Sequence, residues 1–217
     1  MEHIKSYNRL TYETEFGPIV IEGPLDSEEL KKYHFHEQLT AFRPADKQFE
    51  ALLSIARFPE GRILIARIED TIVGYVTYLH PDPLERWSEF NMEDLIELGA
   101  VEMSPAYRGA RIASNLLKVS MMDDFMENYI VISTEYYWHW DLEGTKLSIW
   151  DYRKVMERMM AAGGLLPAPT DDPEIISHPA NCLMVRIGKN VPEESIKQFD
   201  KLRFLARHNY RNMREGL

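Results

Sequence analysis

The sequence predicts an α/β (α+β) domain: a mixed, mostly antiparallel sheet with one parallel crossover, flanked by helices. Three observations predict it. Residues 62–68 and 71–78 are rich in β-branched and aromatic side chains and are separated only by Glu69-Asp70, the pattern of an antiparallel hairpin. Residues 94–103 and 129–134 are two further strand-like runs. Between them Ile112, Leu116, Leu117, Val119 and Met121 recur at helical spacing, so the strands they join should lie parallel. At 217 residues, 45% of them hydrophobic, the chain suits one main core.

The elements follow in order. Residues 10–22 read as a hairpin about Gly17-Pro18, at a sheet edge. Asp26, Ser27, Glu28 and Glu29 put capping and acidic residues ahead of Leu30, Tyr33 and Phe35, which predicts a helix. Pro44, followed by Phe49, Leu52, Leu53 and Ile55, predicts a second. Pro81-Asp82-Pro83 cannot extend a strand. Trp150, Tyr152, Val155, Met156 and Met159 form a later helical stripe that stops at Gly163-Gly164. Leu165-Leu166 and residues 182–187 read as late strands. A last helix opens at Pro192-Glu193-Glu194, runs through Ile196, Phe199, Leu202 and Leu205, and has a basic end of Arg203, Arg207, Arg211 and Arg214. Residues 1–190 are expected to form the main domain and 191–217 a C-terminal helical extension.

Charge and cysteine usage narrow the function. Lys+Arg number 25 against 35 Asp+Glu, a formal charge of −10, which disfavours nucleic acid and mildly favours a basic partner or a lysine-bearing substrate. The single cysteine, Cys182, excludes an internal disulfide and a multi-cysteine metal site, and a reducing, cytoplasmic setting is expected. Cys182 reads as a buried structural thiol, and with His178 it makes too few ligands for zinc, so no metal is expected. No apolar run approaches the roughly 20 residues that span a bilayer.

Chemistry concentrates in residues 98–117. A strand ends, Arg108-Gly109 forms a tight turn, and a helix opens with unpaired N–H groups that suit an anion such as a pyrophosphate. Pro105, Tyr107, Arg108, Gly109, Ala110, Arg111, Ile112, Ala113, Leu116 and Leu117 resemble the acetyl-CoA loop of the GCN5-related N-acetyltransferase (GNAT) family: Pro-x-Tyr-Arg-Gly-x-Gly-Ile-Gly/Ala, then Leu-Leu. Arg111 departs from that pattern, standing where the family prefers Gly or Ala. The resemblance implies the GNAT fold and acetyl-CoA as cofactor. It implies that Arg108, Gly109, Ala110, Arg111, Ile112, Ala113 and Ser114 hold the pyrophosphate, and that a strand N–H near Val101 or Met103 meets the thioester oxygen. Segments 81–89, 91–100, 134–141 and 178–184 further resemble a branch of the family that acetylates a lysine of acetyl-CoA synthetase and inactivates it, which implies that enzyme as the partner.

Acetylating a lysine requires its neutral form. With a free pKa of about 10.4, only about one lysine in a thousand is neutral near pH 7.4, a deficit of roughly 4 kcal/mol, so a carboxylate base is expected. Glu97, Glu102 and Glu135 compete for the role, and a reaction with no protein base stays open. The resemblance favours Glu97, a strand glutamate about a dozen residues before the loop glycine. Alternation puts Glu97 and Glu102 on opposite faces unless a bulge intervenes. Tyr136, Tyr137 and Tyr152 are the candidates to protonate the leaving thiolate. Two rival functions are a small-amine N-acetyltransferase and a non-catalytic protein that binds a partner in response to acetyl-CoA.

Overall fold

The structure, a computed structural model, describes residues 1–215, with side chains as far as Tyr210. The chain opens with the hairpin β1 (Asn8–Thr14) and β2 (Gly17–Gly23), with Gly17 at φ +94° where the turn ends. Asp26 caps α1 (Ser27–Leu30): its carboxylate accepts the N–H groups of Glu28 and Glu29, and Glu29 reaches back to the Asp26 N–H. The predicted start is right, but the helix does not run on through Tyr33 and Phe35. His34–Phe35 forms β3 instead, paired parallel with residues 71–72, and the Phe35 ring packs 5.2 Å from Phe49 and 5.9 Å from Tyr75. Sheet pairing and aromatic burial override a local helical preference.

After α2 (Ala45–Ile55) come the predicted hairpin strands β4 (Arg62–Ile68) and β5 (Thr71–Leu79), then β6 (Leu95–Met103), α3 (Ile112–Ser120) and β7 (Ile130–Glu135). The chain continues with α4 (Leu142–Thr145), α5 (Ile149–Ala161), β8 (Leu166–Ala168) and β9 (Cys182–Ile187). It closes with α6 (Glu193–Arg203) and α7 (Leu205–Glu215). A single last helix was expected. It breaks at Phe204 (φ −119°, ψ +38°), where Asp171 accepts the N–H groups of Ala206 and Arg207 and so starts a new helix. Of the expected basic end, the Arg211 and Arg214 side chains lie outside the described residues.

The sheet order is β1-β2-β4-β5-β6-β7-β9-β8, with the β1–β2 hairpin at one edge as expected; along this path only β6 and β7 run parallel. One face buries the largest core under α3 and α5, from Ile19 and Ile21 through Leu98, Leu116 and Leu117 to Met156 and Met184. The other face carries two smaller cores. One lies under α1 and α2 and is built from Leu30, Leu52, Ile63, Ile65 and Tyr75. The second lies under α6, where Phe199 and Leu202 pack with Trp87, Leu95, Ile130 and Leu183, so α6 is sewn into the body of the fold. On β6, Leu95 belongs to one of these smaller cores and Ala100 packs against the other, with Glu97 between them in the strand.

Candidate active site

Two departures from regular structure build the site. The first is a fork. β6 and β7 pair only at Leu95↔Ile130, Ile96↔Val131 and Glu97↔Ile132. Beyond that point β6 runs on through Val101 to Met103 and β7 on to Glu135 without pairing to each other, and the Ser133 hydroxyl donates to the Leu98 carbonyl at 3.3 Å in the crotch. Backbone groups of β6 on that side are therefore free for a ligand. The Val101 and Met103 side chains pack against the main core, so only their backbone is offered to the fork.

The second departure is the turn into α3. Gly109, Ala110 and Arg111 hold φ of +118°, +47° and +57° in succession, and α3 begins with no side-chain cap. Successive left-handed residues turn backbone N–H groups into a concave nest continuous with the helix N-terminus. This geometry explains why the family motif wants glycine where Arg111 stands: the left-handed region costs any residue with a Cβ about 1–2 kcal/mol. The Arg111 side chain is exposed. Arg108 is turned aside into a 2.6 Å ion pair with Asp141, whose carboxyl this pairing holds below its usual range. The residues present thus suit a pyrophosphate held by backbone.

The three glutamates occupy three different environments. Opposite β5 the register runs Thr77↔Ala100, then Tyr78↔Leu98, leaving Gly99 as a bulge. The bulge restores the parity that alternation alone would break, so Glu97 and Glu102 share a face, the one bearing the two smaller cores. Glu102 is buried and satisfied: Oε1 accepts the Ala41 N–H at 2.7 Å and Oε2 accepts the Tyr75 hydroxyl. Glu97 is partly buried where the two smaller cores part, and its one direct hydrogen bond comes from the Thr134 hydroxyl at 3.3 Å. Burial, then the negative charge of Glu85, raises its pKa to about 7, with Glu135 and Asp82 adding to the rise and Thr134 opposing it. Glu135 lies on the opposite face, accepting from Ser133 Oγ at 2.9 Å and Trp140 Nε1 at 3.3 Å, and burial raises its pKa too.

The tyrosines also separate. Tyr136 packs on the core under α6 and hydrogen-bonds Thr134; burial, then Glu174 and Asp172, raises its pKa. Tyr137 is fixed by its N–H to Asn181 Oδ1 at 3.0 Å, and its ring lies 4.2 Å from His178. Tyr152, on α5, stacks on Trp140 at 5.1 Å, and its pKa is raised chiefly by burial, with Arg108, Glu135 and Asp141 within electrostatic reach. Sequence reasoning missed the acidic surround of Glu97. Asp82 and Glu85 arrive at Glu97 from the loop after β5, while Asp172 and Glu174, from the loop before β9, act on Glu85 and Tyr136, and only the fold brings these groups together. Cys182 is buried, with its thiol pushed up to about 12, as a structural residue should be. Among the described residues no cluster of three metal-ligating side chains occurs, and no helix is long and apolar enough to cross a membrane.

The acetyltransferase (GNAT) family model matches residues 27–148. Acetoin utilization protein AcuA of Bacillus subtilis (strain 168) is 64% identical over 210 residues, spanning 97% of this chain and the whole of that protein. AcuA of Bacillus licheniformis is 63% identical over the same extent. The crystal structure of an acetoin utilization protein from Exiguobacterium sibiricum 255-15 superposes with a TM-score of 0.92 at 55% identity, over 95% of this chain and 98% of that one. Motif, fork, loop and full-length likeness agree, and the chain belongs to the GNAT family of acetyltransferases.

Proposed function

We propose that this acetyltransferase moves acetyl from acetyl-CoA to a lysine of acetyl-CoA synthetase in the cytoplasm, inactivating that enzyme, with Glu97 as the base. The observation that carries the reading is Glu97 itself: a carboxyl with its pKa near neutrality, with Glu85, Glu135 and Asp82 around it, beside the β6–β7 fork. Carboxylates around it attract an ammonium group, which suits a cationic acceptor. A base whose pKa lies near working pH is half ionised there and still basic enough to draw a proton from lysine. The likeness to AcuA proteins, at 64% and 63% identity, supports a role in acetoin utilization.

The backbone of Gly109, Ala110, Arg111, Ile112, Ala113 and Ser114 would hold the pyrophosphate, with Arg108 braced by Asp141 at its edge. Bound acetyl-CoA supplies a thioester, whose C–S bond breaks as the C–N bond to lysine forms. Glu97 takes one proton from the lysine ammonium and so frees the nitrogen lone pair. A β6 N–H at Val101 or Met103 donates to the carbonyl oxygen where negative charge grows. The second amine proton passes to solvent as the amide forms, and a tyrosine hydroxyl delivers a proton to the departing sulfur and recovers one from solvent. Tyr152 suits this last role better than Tyr136 or Tyr137, because it lies on the face with Arg108 and Glu135. Glu102 is a structural group whose oxygens are both engaged, and Glu135 helps set the field at Glu97.

Mass spectrometry of acetyl-CoA synthetase incubated with the protein and acetyl-CoA tests the reading. One acetylated lysine and lost synthetase activity are expected. Acetyl transfer to a small amine with none to the synthetase would replace it with the small-amine reading.

A further inference from the structure

Beside Thr134 and Glu97 begins a row of aromatic rings that the proposed transfer does not use. Five rings touch in sequence along it. Tyr136 stacks on Trp138 at 4.9 Å, Trp138 meets Tyr137 edge-on at 5.4 Å, Tyr137 lies 4.2 Å from His178, and His178 stacks on Trp150 at 6.4 Å. This ladder starts beside Glu97, because Tyr136 shares Thr134 with it and feels Glu85 and Glu174. It ends on α5. Aromatic runs are by default buried packing, but Trp138 is 46% exposed, Trp150 52% and the neighbouring Ile176 63%.

The ladder is held rigid from below. Asn181, itself buried, accepts the Tyr137 N–H at 3.0 Å and donates to the Glu174 carbonyl at 3.2 Å, tying the end of β7 to the turn that bears Ile176. Arg153 clamps the same loop through the Pro179 and Asn181 carbonyls. Exposed, pre-ordered Trp and Tyr rings supply large contact area at little entropic cost, the composition of binding hot spots.

We propose that this ladder, with Ile176, seats the segment of the acceptor protein that carries the target lysine. The inference rests on the protein-lysine reading above. Two features on the page define the occupant. Lysine reaches inward on a stem of only four carbons, and Glu97 is partly buried, so the acceptor backbone lies close outside it, where the ladder begins. The ladder is acidic at its Tyr136 end, with Glu85 and Glu174 in electrostatic reach, and the chain as a whole carries a formal charge of −10, so the segment is basic around its lysine and apolar where it crosses Trp138 and Trp150.

The test compares the wild-type protein with a Trp138→Ala/Trp150→Ala variant, measuring calorimetric affinity for intact acetyl-CoA synthetase and, separately, for CoA. Both substitutions are at exposed rings, so the fold should survive. A loss of at least about tenfold in synthetase affinity, with CoA affinity within about twofold, is the expected result. Unchanged synthetase affinity would overturn the docking seat while leaving the transfer reading to its own mass-spectrometric test. Equal loss of both affinities would also overturn it, making the ladder structural. A wild-type protein that neither binds nor acetylates the synthetase would remove the transfer reading and this inference together.

Discussion

Glu97 and Glu102 lie five residues apart on one strand and, through the Gly99 bulge, on one face, yet their surroundings have little in common. Glu102 is enclosed by the Ala41 N–H and the Tyr75 hydroxyl, which engage both of its oxygens. Glu97 has one long hydrogen bond, other carboxylates nearby and the open fork beside it, and its pKa rises to about 7. The same side chain is held by two donors in one place and has its pKa raised in the other, and donor count together with neighbouring charge decides which.

The sharpest way to break that contrast is Glu97→Gln. A general base contributes about 10²–10⁴-fold, so kcat should fall by that order with CoA affinity nearly unchanged. In the wild-type protein kcat/KM should rise with pH through about 7, as Glu97 ionises, and the variant should lose that limb. A variant that keeps its kcat would move the base elsewhere.

Stability provides an independent reading of the same group. Its folded pKa, about 7, lies above the ordinary 4.5, so between those values the native state binds more protons than the unfolded one and stability falls as pH rises. Above pH 7 the charged, buried carboxylate costs on the order of 2–3 kcal/mol. Glu97→Gln should therefore be more stable than wild type in urea melts at pH 8 and about equal at pH 4. Equal stability at both pH values would mean Glu97 is well solvated, and the contrast with Glu102 would vanish.

Glu102→Gln should do the reverse. It loses charge-assisted hydrogen bonds worth about 1.5–3 kcal/mol, lowering Tm by several degrees, while the folded fraction keeps kcat within a few-fold. A large kcat loss with Tm unchanged would exchange the roles of the two residues.

How far these assignments could be read in the sequence depends on what carried them. The hairpin 62–79, the parallel crossover through α3 and the tight turn that opens α3 were legible, because alternation, helical spacing and a local motif are written in contiguous residues. The strand at His34–Phe35 was not, since its reason is an aromatic contact with Tyr75 some forty residues away. The break at Phe204 likewise depends on Asp171, from a loop ahead of β9. Glu97 could be nominated from the strand, but nothing local shows that Asp82 and Glu85 come near it, or that Ala41 closes over Glu102. Alternation left the shared face open only through the possibility of a bulge, and a lone glycine in a strand was the visible cue.

That glycine provides the smallest and most discriminating test. Gly99 is exposed at the fork, and a Cβ there would stand 3.1 Å from Leu79 Cδ2 and 3.3 Å from Thr77 Oγ1, both side-chain atoms that can yield by a few tenths of an ångström. Reduced entropy of the unfolded chain favours alanine by about 0.4–1 kcal/mol, which offsets the crowding. Gly99→Ala should therefore leave stability within about 1 kcal/mol and preserve the bulge, with Glu97 and Glu102 still on one face. If the bulge only sets parity, kcat and CoA affinity should also hold within about twofold. A selective rise in KM for acetyl-CoA, with Tm unchanged, would instead show that backbone at Gly99 lies against the ligand. The missing side chain would then serve the fork itself, and the glycine that aligns the two glutamates would also admit the thioester between the strands.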